Sequence, residues 1–274
     1  MNTIYEKAKA FIMEKGSAAQ KVCFEYIDGV ASKEDVVQAI GKYQNPDGGW
    51  ANGLEVEYQG DISSPMTTAA ALSYLHLFDL KDTELMERTL EYLKGTQRAD
   101  GSWDDVDGIL GFPLPEYFGP NKFVEYKTGM IVKWLKRMDL REDELMIRGI
   151  DYLINKFDFY KGVEDFWTAG AYLGVFTEFP EAERASEIIE WGIGVMTNAA
   201  KGAENNDPEA MPWMQVQGMI YEDDKMLIPL KEKVVEAIRA NQLPNGSWPH
   251  PFGDYNAVWV AVLISRYLKR NSLV

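Results

Sequence analysis

Residues 44–50 read QNPDGGW, and near copies stand at 97–103, QRADGSW, and at 242–248, QLPNGSW. The common form is Q-x-x-[DN]-G-[GS]-W. Gln44 and Gln97 are 53 residues apart, and Gln97 and Gln242 are 145 apart, which is close to three further intervals. A second repeat lies upstream of the motif. Residues 78–93, FDLKDTELMERTLEYL, and 138–153, MDLREDELMIRGIDYL, share eight of sixteen positions at an offset of 60. Self-similarity at such a period marks a stacked or ring-like array of one supersecondary unit.

The unit is a helix pair. Ahead of each motif runs an amphipathic helix, as in 83–97, where Leu85, Met86, Thr89, Leu90 and Leu93 form one stripe opposite charges. The Gly of the motif ends that helix. After a loop comes a second helix with little charge and many small residues, such as SSPMTTAAALSYLHLF (63–78) or DYNAVWVAVLISRYL (254–268). A helix apolar nearly all round is a buried helix. The pattern predicts outer helices at 3–14, 33–44, 82–97, 142–157, 181–198 and 229–242, and inner helices at 17–28, 63–79, 123–138, 165–178, 210–222 and 254–269. Six such pairs form an all-α, closed double ring, an (α/α)6 toroid, and the expectation is one domain over 1–274. No run alternates with period 2 long enough to compete as a strand. Within the motif, Gln serves the open backbone groups of helix ends, Asp or Asn with Gly makes the turn, and Trp packs over the next hairpin. The six Gln and Trp residues read as scaffold.

Composition bounds the rest. Nothing approaches 18 uninterrupted apolar residues, so no membrane span is expected. The N-terminus has charges in every turn and no apolar signal core. The single cysteine, Cys23, excludes a disulfide framework and fits the cytoplasm. A net charge of −15 disfavours nucleic acid and anionic membrane surfaces as partners. Oligomeric state is not legible.

The three Q…W segments resemble the QW motifs of the terpenoid-cyclase and prenyltransferase toroid superfamily, which includes squalene–hopene cyclases and protein prenyltransferase β subunits. The resemblance covers most of the chain through its repeats. It implies a hydrophobic small-molecule substrate, an isoprenoid, cyclised or isomerised in a central aromatic cavity without a cofactor. Two departures matter. The D-x-D-D-T-A acid motif of the class II cyclases finds only EDFWTA at 164–169, with Phe166 and Trp167 in the places of the last two acids. The prenyltransferase zinc site has no counterpart, since Cys23, His76 and His250 are scattered. No metal site is expected.

A non-standard acid is therefore sought in the loops that lead into inner helices. The candidates are Glu55, Glu57 and Asp61 in NGLEVEYQGDISSP, Asp105 beside Asp104 and Asp107, and Asp165 beside Glu164. Glu116 and Glu125 lie in LPEYFGPNKFVEY. An acid walled by aromatics has a raised pKa and donates a proton at neutral pH. Asp165 and Asp254 also suit helix N-caps. Glu55 is favoured because its segment carries the clearest family pattern. Substrate contacts are expected from Tyr126, Trp167, Trp213, His250, Asp254 and Trp259, whose rings either stabilise a cation or fill the space between the helix layers. Two other readings stay open. One is a carbohydrate-active (α/α)6 enzyme with paired carboxylates. The other is a non-catalytic toroid that binds a lipid or a protein.

Overall fold

The computed structural model describes residues 3–55, 57–140, 143–163, 165–206, 231–249 and 254–273. Among them are eleven α-helices: α1 (Ile4–Lys15), α2 (Ala18–Ile27), α3 (Lys33–Gly41), α4 (Pro65–Leu77), α5 (Glu84–Thr96), α6 (Val124–Arg137), α7 (Asp143–Tyr160), α8 (Phe166–Phe176), α9 (Ala185–Asn206), α10 (Lys231–Asn241) and α11 (Asp254–Arg270). A 3-10 helix spans Asp107–Gly111. No strand occurs among the described residues, where the one β-bridge pairs Gln44 with Trp50. The chain is all-helical. The expected inner helix at 210–222 lies outside the described residues. The expected outer helix 181–198 instead runs from Ala185 to Asn206, because Arg184 takes a left-handed φ of 60° and breaks the chain just before it.

The chain divides into two compact units, Met1–Ile40 with Ala200–Val274, and Gly41–Ala199. In the second unit α6 is central and packs on α4, α7 and α8. Its approach to α8 needs small residues, since a Cβ on Gly129 would lie 3.0 Å from the Ala171 Cβ. α4 is buried on all sides, from Pro65 at its first position to Leu77. Ser64 caps it by accepting from the Met66 and Thr67 amides. α5 is amphipathic and buries Leu85, Met86, Thr89, Tyr92 and Leu93. In the first unit α11 packs on α1 and α2. Asp28, at the end of α2, accepts from Tyr5 and Lys9 on α1 and from Lys269 on α11.

The three Q…W segments fold into one and the same turn. The residue after Gln pairs with the residue before Trp: Asn45 N to Gly49 O, Arg98 N to Ser102 O and Leu243 N to Ser247 O are each 2.8 Å. The Gln amide then spans two backbones. Gln44 Nε2 donates to Gly48 O at 3.0 Å and to Leu85 O at 2.9 Å. Gln97 Nε2 donates to Gly101 O and Leu145 O, both at 2.9 Å. Gln242 Nε2 donates to Gly246 O at 3.1 Å and to Ile4 O at 2.8 Å. The buried Trp indole anchors the turn. Trp50 Nε1 donates to Thr89 Oγ1, Trp103 Nε1 to Leu93 O and Trp248 Nε1 to Ile238 O, each at 2.9 Å.

Each turn thus clasps the first turn of another helix, α5, α7 or α1. The clasp leaves no room at its glycine. A Cβ on Gly48, Gly101 or Gly246 would lie 2.1 Å from Arg88 O, Arg148 O or Lys7 O, and all three glycines have φ near +90° (87°, 92° and 91°). The sixteen-residue duplication now has a physical reason, because Leu85 and Arg88, like Leu145 and Arg148, are the surface that receives a turn. The two arginines add a bond of their own, from Arg88 to Asn45 O and from Arg148 to Arg98 O.

Candidate functional site

In the second unit, the loops entering α4 and α6 build an aromatic-walled site. Residues 51–64 leave the first Q…W turn, and Gly53 N bonds back to Tyr58 O at 3.1 Å. Tyr58 is buried, and its hydroxyl donates to Ile62 O at 2.7 Å. The longer loop of 104–123 carries Phe112, Tyr117, Phe118 and Phe123. Tyr58 stacks on Phe118 at 5.4 Å and meets Phe112 edge-on at 5.9 Å. Tyr117 contacts Phe118 at 5.8 Å and Phe123 at 6.4 Å. These rings form one cluster with Met66, Ile109, Leu114 and Tyr126. Tyr126 extends it to α8 through an edge-to-face contact with Trp167 at 6.3 Å. Trp167 keeps 43% of its surface in solvent.

One of these rings sits on a strained backbone. Phe123 precedes α6 in a left-handed conformation, φ 47° and ψ 40°, with no side-chain cap. A bulky residue there carries about 1–2 kcal/mol of steric cost. The strain sets the Phe123 ring against Tyr117.

Glu55 and Glu57 stand at this wall. Glu55 is partly buried. Burial, reinforced by the Glu57 carboxylate, pushes its pKa up to about 8. No hydrogen bond to the Glu55 carboxyl is formed among the described residues. Tyr117 lies close to both acids. Burial, then Glu57 and Glu55, raise its phenol well above the ordinary tyrosine range.

The other carboxylates expected here have different work. Asp105 and Asp104 are buried around Lys127, whose ammonium is wholly inside. Lys127 Nζ donates to Asp104 Oδ1, to Asp105 Oδ2 at 2.9 Å and to Gly119 O at 3.2 Å. Asp105 also accepts from Ser64 Oγ and from Gly119 N. Asp104 accepts from Asn121 N at 2.7 Å and pairs with Arg98. This hub ties the loop to the Ser64 cap of α4 and to Lys127 on α6. Glu125 is buried between the phenols of Tyr152 and Tyr160, at 2.8 and 2.7 Å. Asp165 caps α8 through Thr168 N at 2.8 Å. Asp61 is exposed, and its backbone carbonyl accepts from Asn45 Nδ2.

The structure therefore brings together Tyr126 and Trp167, and sets Glu57 beside Glu55 within electrostatic reach of Tyr117. Trp259 is buried on α11 in the other unit, and Asp254 is the first residue of that helix. Trp213 and His250 lie outside the described residues. Sequence reasoning passed over Tyr58, Phe112, Tyr117, Phe118 and Phe123. Their signal is the density of aromatic residues in a loop that is otherwise rich in Gly and Pro. Among the described residues, no three His, Cys, Asp or Glu side chains are grouped as metal ligands would be.

No protein-family model matches the chain, and no curated protein does. Among solved structures, a similarity is found to the type II terpene cyclase MstE from Scytonema, solved as an alanine variant in complex with its product merosterolic acid A. The TM-score is 0.46 at 12% identity, over 99% of this chain and 87% of that one. Among the described residues, no helix is long and apolar enough to cross a membrane.

Proposed function

We infer that this protein is a terpenoid-cyclase-like (α/α)6 toroid of one domain, acting in the cytoplasm on an isoprenoid by proton-initiated cyclisation or isomerisation. Glu55 is the proton donor. One observation carries the reading: a carboxyl with a pKa of about 8, and no hydrogen-bond partner among the described residues, lies within electrostatic reach of Tyr117, which packs on the aromatic cluster. An acid in that state is protonated at neutral pH and has no competing acceptor, so its proton is available to an alkene. The rings of Tyr117, Phe123, Tyr126 and Trp167 then face the positive charge that protonation creates, and each desolvated ring is worth up to about 2 kcal/mol to it. Glu57 raises the donor's pKa and so helps it hold its proton until the substrate arrives.

The closed ring is supported by the third turn, 242–248, which clasps α1 as the first two clasp α5 and α7. The test is incubation of the purified protein with geranyl, farnesyl and geranylgeranyl alcohols and squalene, with extraction and chromatography. A product of unchanged mass and altered retention, lost in Glu55→Gln and retained in Asp165→Asn, is expected. Failure of every isoprenoid to bind or react removes the reading.

A further inference from the structure

The third Q…W turn departs from the other two in the chemistry of one side chain. Where 44–50 and 97–103 carry Asp47 and Asp100, 242–248 carries Asn245. All three do the same work through Oδ1. Asp47 Oδ1 accepts from Gly49 N at 2.9 Å and from Ser63 Oγ at 2.7 Å. Asp100 Oδ1 accepts from Ser102 N at 3.1 Å and Ser102 Oγ at 2.7 Å. Asn245 Oδ1 accepts from Ser247 N at 3.1 Å and Ser247 Oγ at 2.7 Å. The turn has no use for the Asn245 amide nitrogen. It donates no hydrogen bond among the described residues, and the side chain is exposed.

Gly246 follows Asn245. The next backbone nitrogen is held within reach of the side-chain Cγ, and glycine offers it with no side chain in the way. Attack there puts negative charge on Oδ1, where a backbone amide and a hydroxyl are already bonded. That is the arrangement of an oxyanion hole. The chain has one other Asn-Gly pair, Asn52–Gly53. There the side-chain nitrogen is tied to Asn45 Oδ1 at 2.9 Å, and Oδ1 accepts no hydrogen bond among the described residues. Both glycine amides are bonded, Gly246 N to Leu243 O at 2.9 Å and Gly53 N to Tyr58 O at 3.1 Å. That brake is common to the two pairs; only the surroundings of the carboxamide differ.

We propose that Asn245 is a self-modifying site, converted by its own turn to aspartate and isoaspartate. Gly246 N gives its proton to solvent and bonds to Cγ. The Cγ–Nδ2 bond breaks, and the nitrogen takes a proton from solvent and leaves as ammonia. Water then opens the cyclic imide. Opening at Cγ gives aspartate, which matches the first two turns and keeps the clasp. Opening at the main-chain carbonyl gives isoaspartate, which adds one carbon to the backbone. The turn has no room for it, since a Cβ on Gly246 would already lie 2.1 Å from Lys7 O. The Gln242 bonds to Gly246 O and Ile4 O are then lost, and α1 is released.

The full chain is incubated at neutral pH, sampled over time, digested and mapped by mass spectrometry. Isoaspartate is read with an isoaspartyl methyltransferase and a labelled methyl donor. Asn52 in the same digest is the internal reference. Asn245 is expected to convert at least about tenfold faster than Asn52. Ser247→Gly copies Gly49 of the first turn and keeps the backbone donor. It is expected to slow Asn245 by about tenfold. In urea the two asparagines are expected to convert at similar rates. Equal rates in the folded chain overturn the proposal, as does an Asn245 rate that Ser247→Gly leaves unchanged or raises. A difference that survives urea is an effect of sequence alone and overturns it too. Limited proteolysis tests the consequence. Cleavage within α1 is expected to be faster in the isoaspartate fraction than in Asn245→Asp, and equal cleavage overturns the release of α1.

Discussion

Two groups of acids lie within one compact unit and have opposite fates. Around Lys127, Asp104 and Asp105 have their oxygens occupied by an ammonium, a guanidinium, a hydroxyl and backbone amides. At the aromatic wall, the Glu55 carboxyl has a like-charged neighbour and no donor. Both groups come from loops that lead into helices, α4 and α6. Burial alone therefore does not set the state of an acid; the presence of counter-charge does. A carboxylate whose oxygens are all taken up by donors serves the fold. An unpaired one keeps its proton and can give it away.

The largest effect that sharpens this contrast is expected at Lys127. Lys127→Met leaves the buried Asp105 without a cation and Asp104 with Arg98 alone, and should cost about 3–5 kcal/mol, read by urea unfolding. A loss under about 1 kcal/mol would mean that water reaches the hub and that its burial is not what holds the loop.

Glu55→Gln should act with the opposite sign. The folded pKa is raised from 4.5 to about 8, so the folded state holds the proton more tightly than the unfolded chain. The stability this gives is complete below pH 4.5 and is lost as pH rises to 8. Glutamine removes that decline. Each pKa unit is worth about 1.4 kcal/mol, and one solvated face trims the sum, so the variant should gain on the order of 3 kcal/mol at pH 9. It should match the parent at pH 4. Parallel pH curves for the two proteins would place Glu55 in ordinary solvent.

Tyr160→Phe takes one of two donors from Glu125 and should cost about 1–2 kcal/mol, with no change in ligand binding. A change in binding would move Glu125 from the paired group to the reactive one. The smallest effect is expected at Asp165, where Asp165→Ala removes a cap on α8 and should cost about 1 kcal/mol in thermal unfolding. Any isoprenoid conversion should survive that change.

The sequence made the helices legible because their stripes repeat, and the turns legible because Gly48, Gly101 and Gly246 permit no Cβ. It also put Glu55 and Glu57 in a loop that leads into a helix, and Tyr126 and Trp167 on helices, where the structure has them. The hub was hidden. A lysine at Lys127 reads as a solvated helix residue until Asp104 and Asp105, 23 and 22 positions upstream, fold back onto it. The aromatic wall was hidden for a different reason. Tyr117, Phe118 and Phe123 belong to no periodic element, and their convergence depends on the course of a twenty-residue loop, 104–123, that the hub itself fixes. Whether Asp165 caps a helix or serves a site could not be separated by residue type, since both uses want an acid at a helix entrance.

The bond from Gln242 to Ile4 spans 238 positions. On the ribosome, α1 emerges long before the turn that is to hold it exists. Its first-turn carbonyls, and the backbone at Lys7 against which Gly246 closes, stay open to water or to other chains throughout synthesis. The N-terminal helix is thus a waiting partner. Truncation just before Gln242 should produce a chain whose earliest helix is loose, protease-sensitive and prone to capture by chaperones, although every residue of that helix is intact.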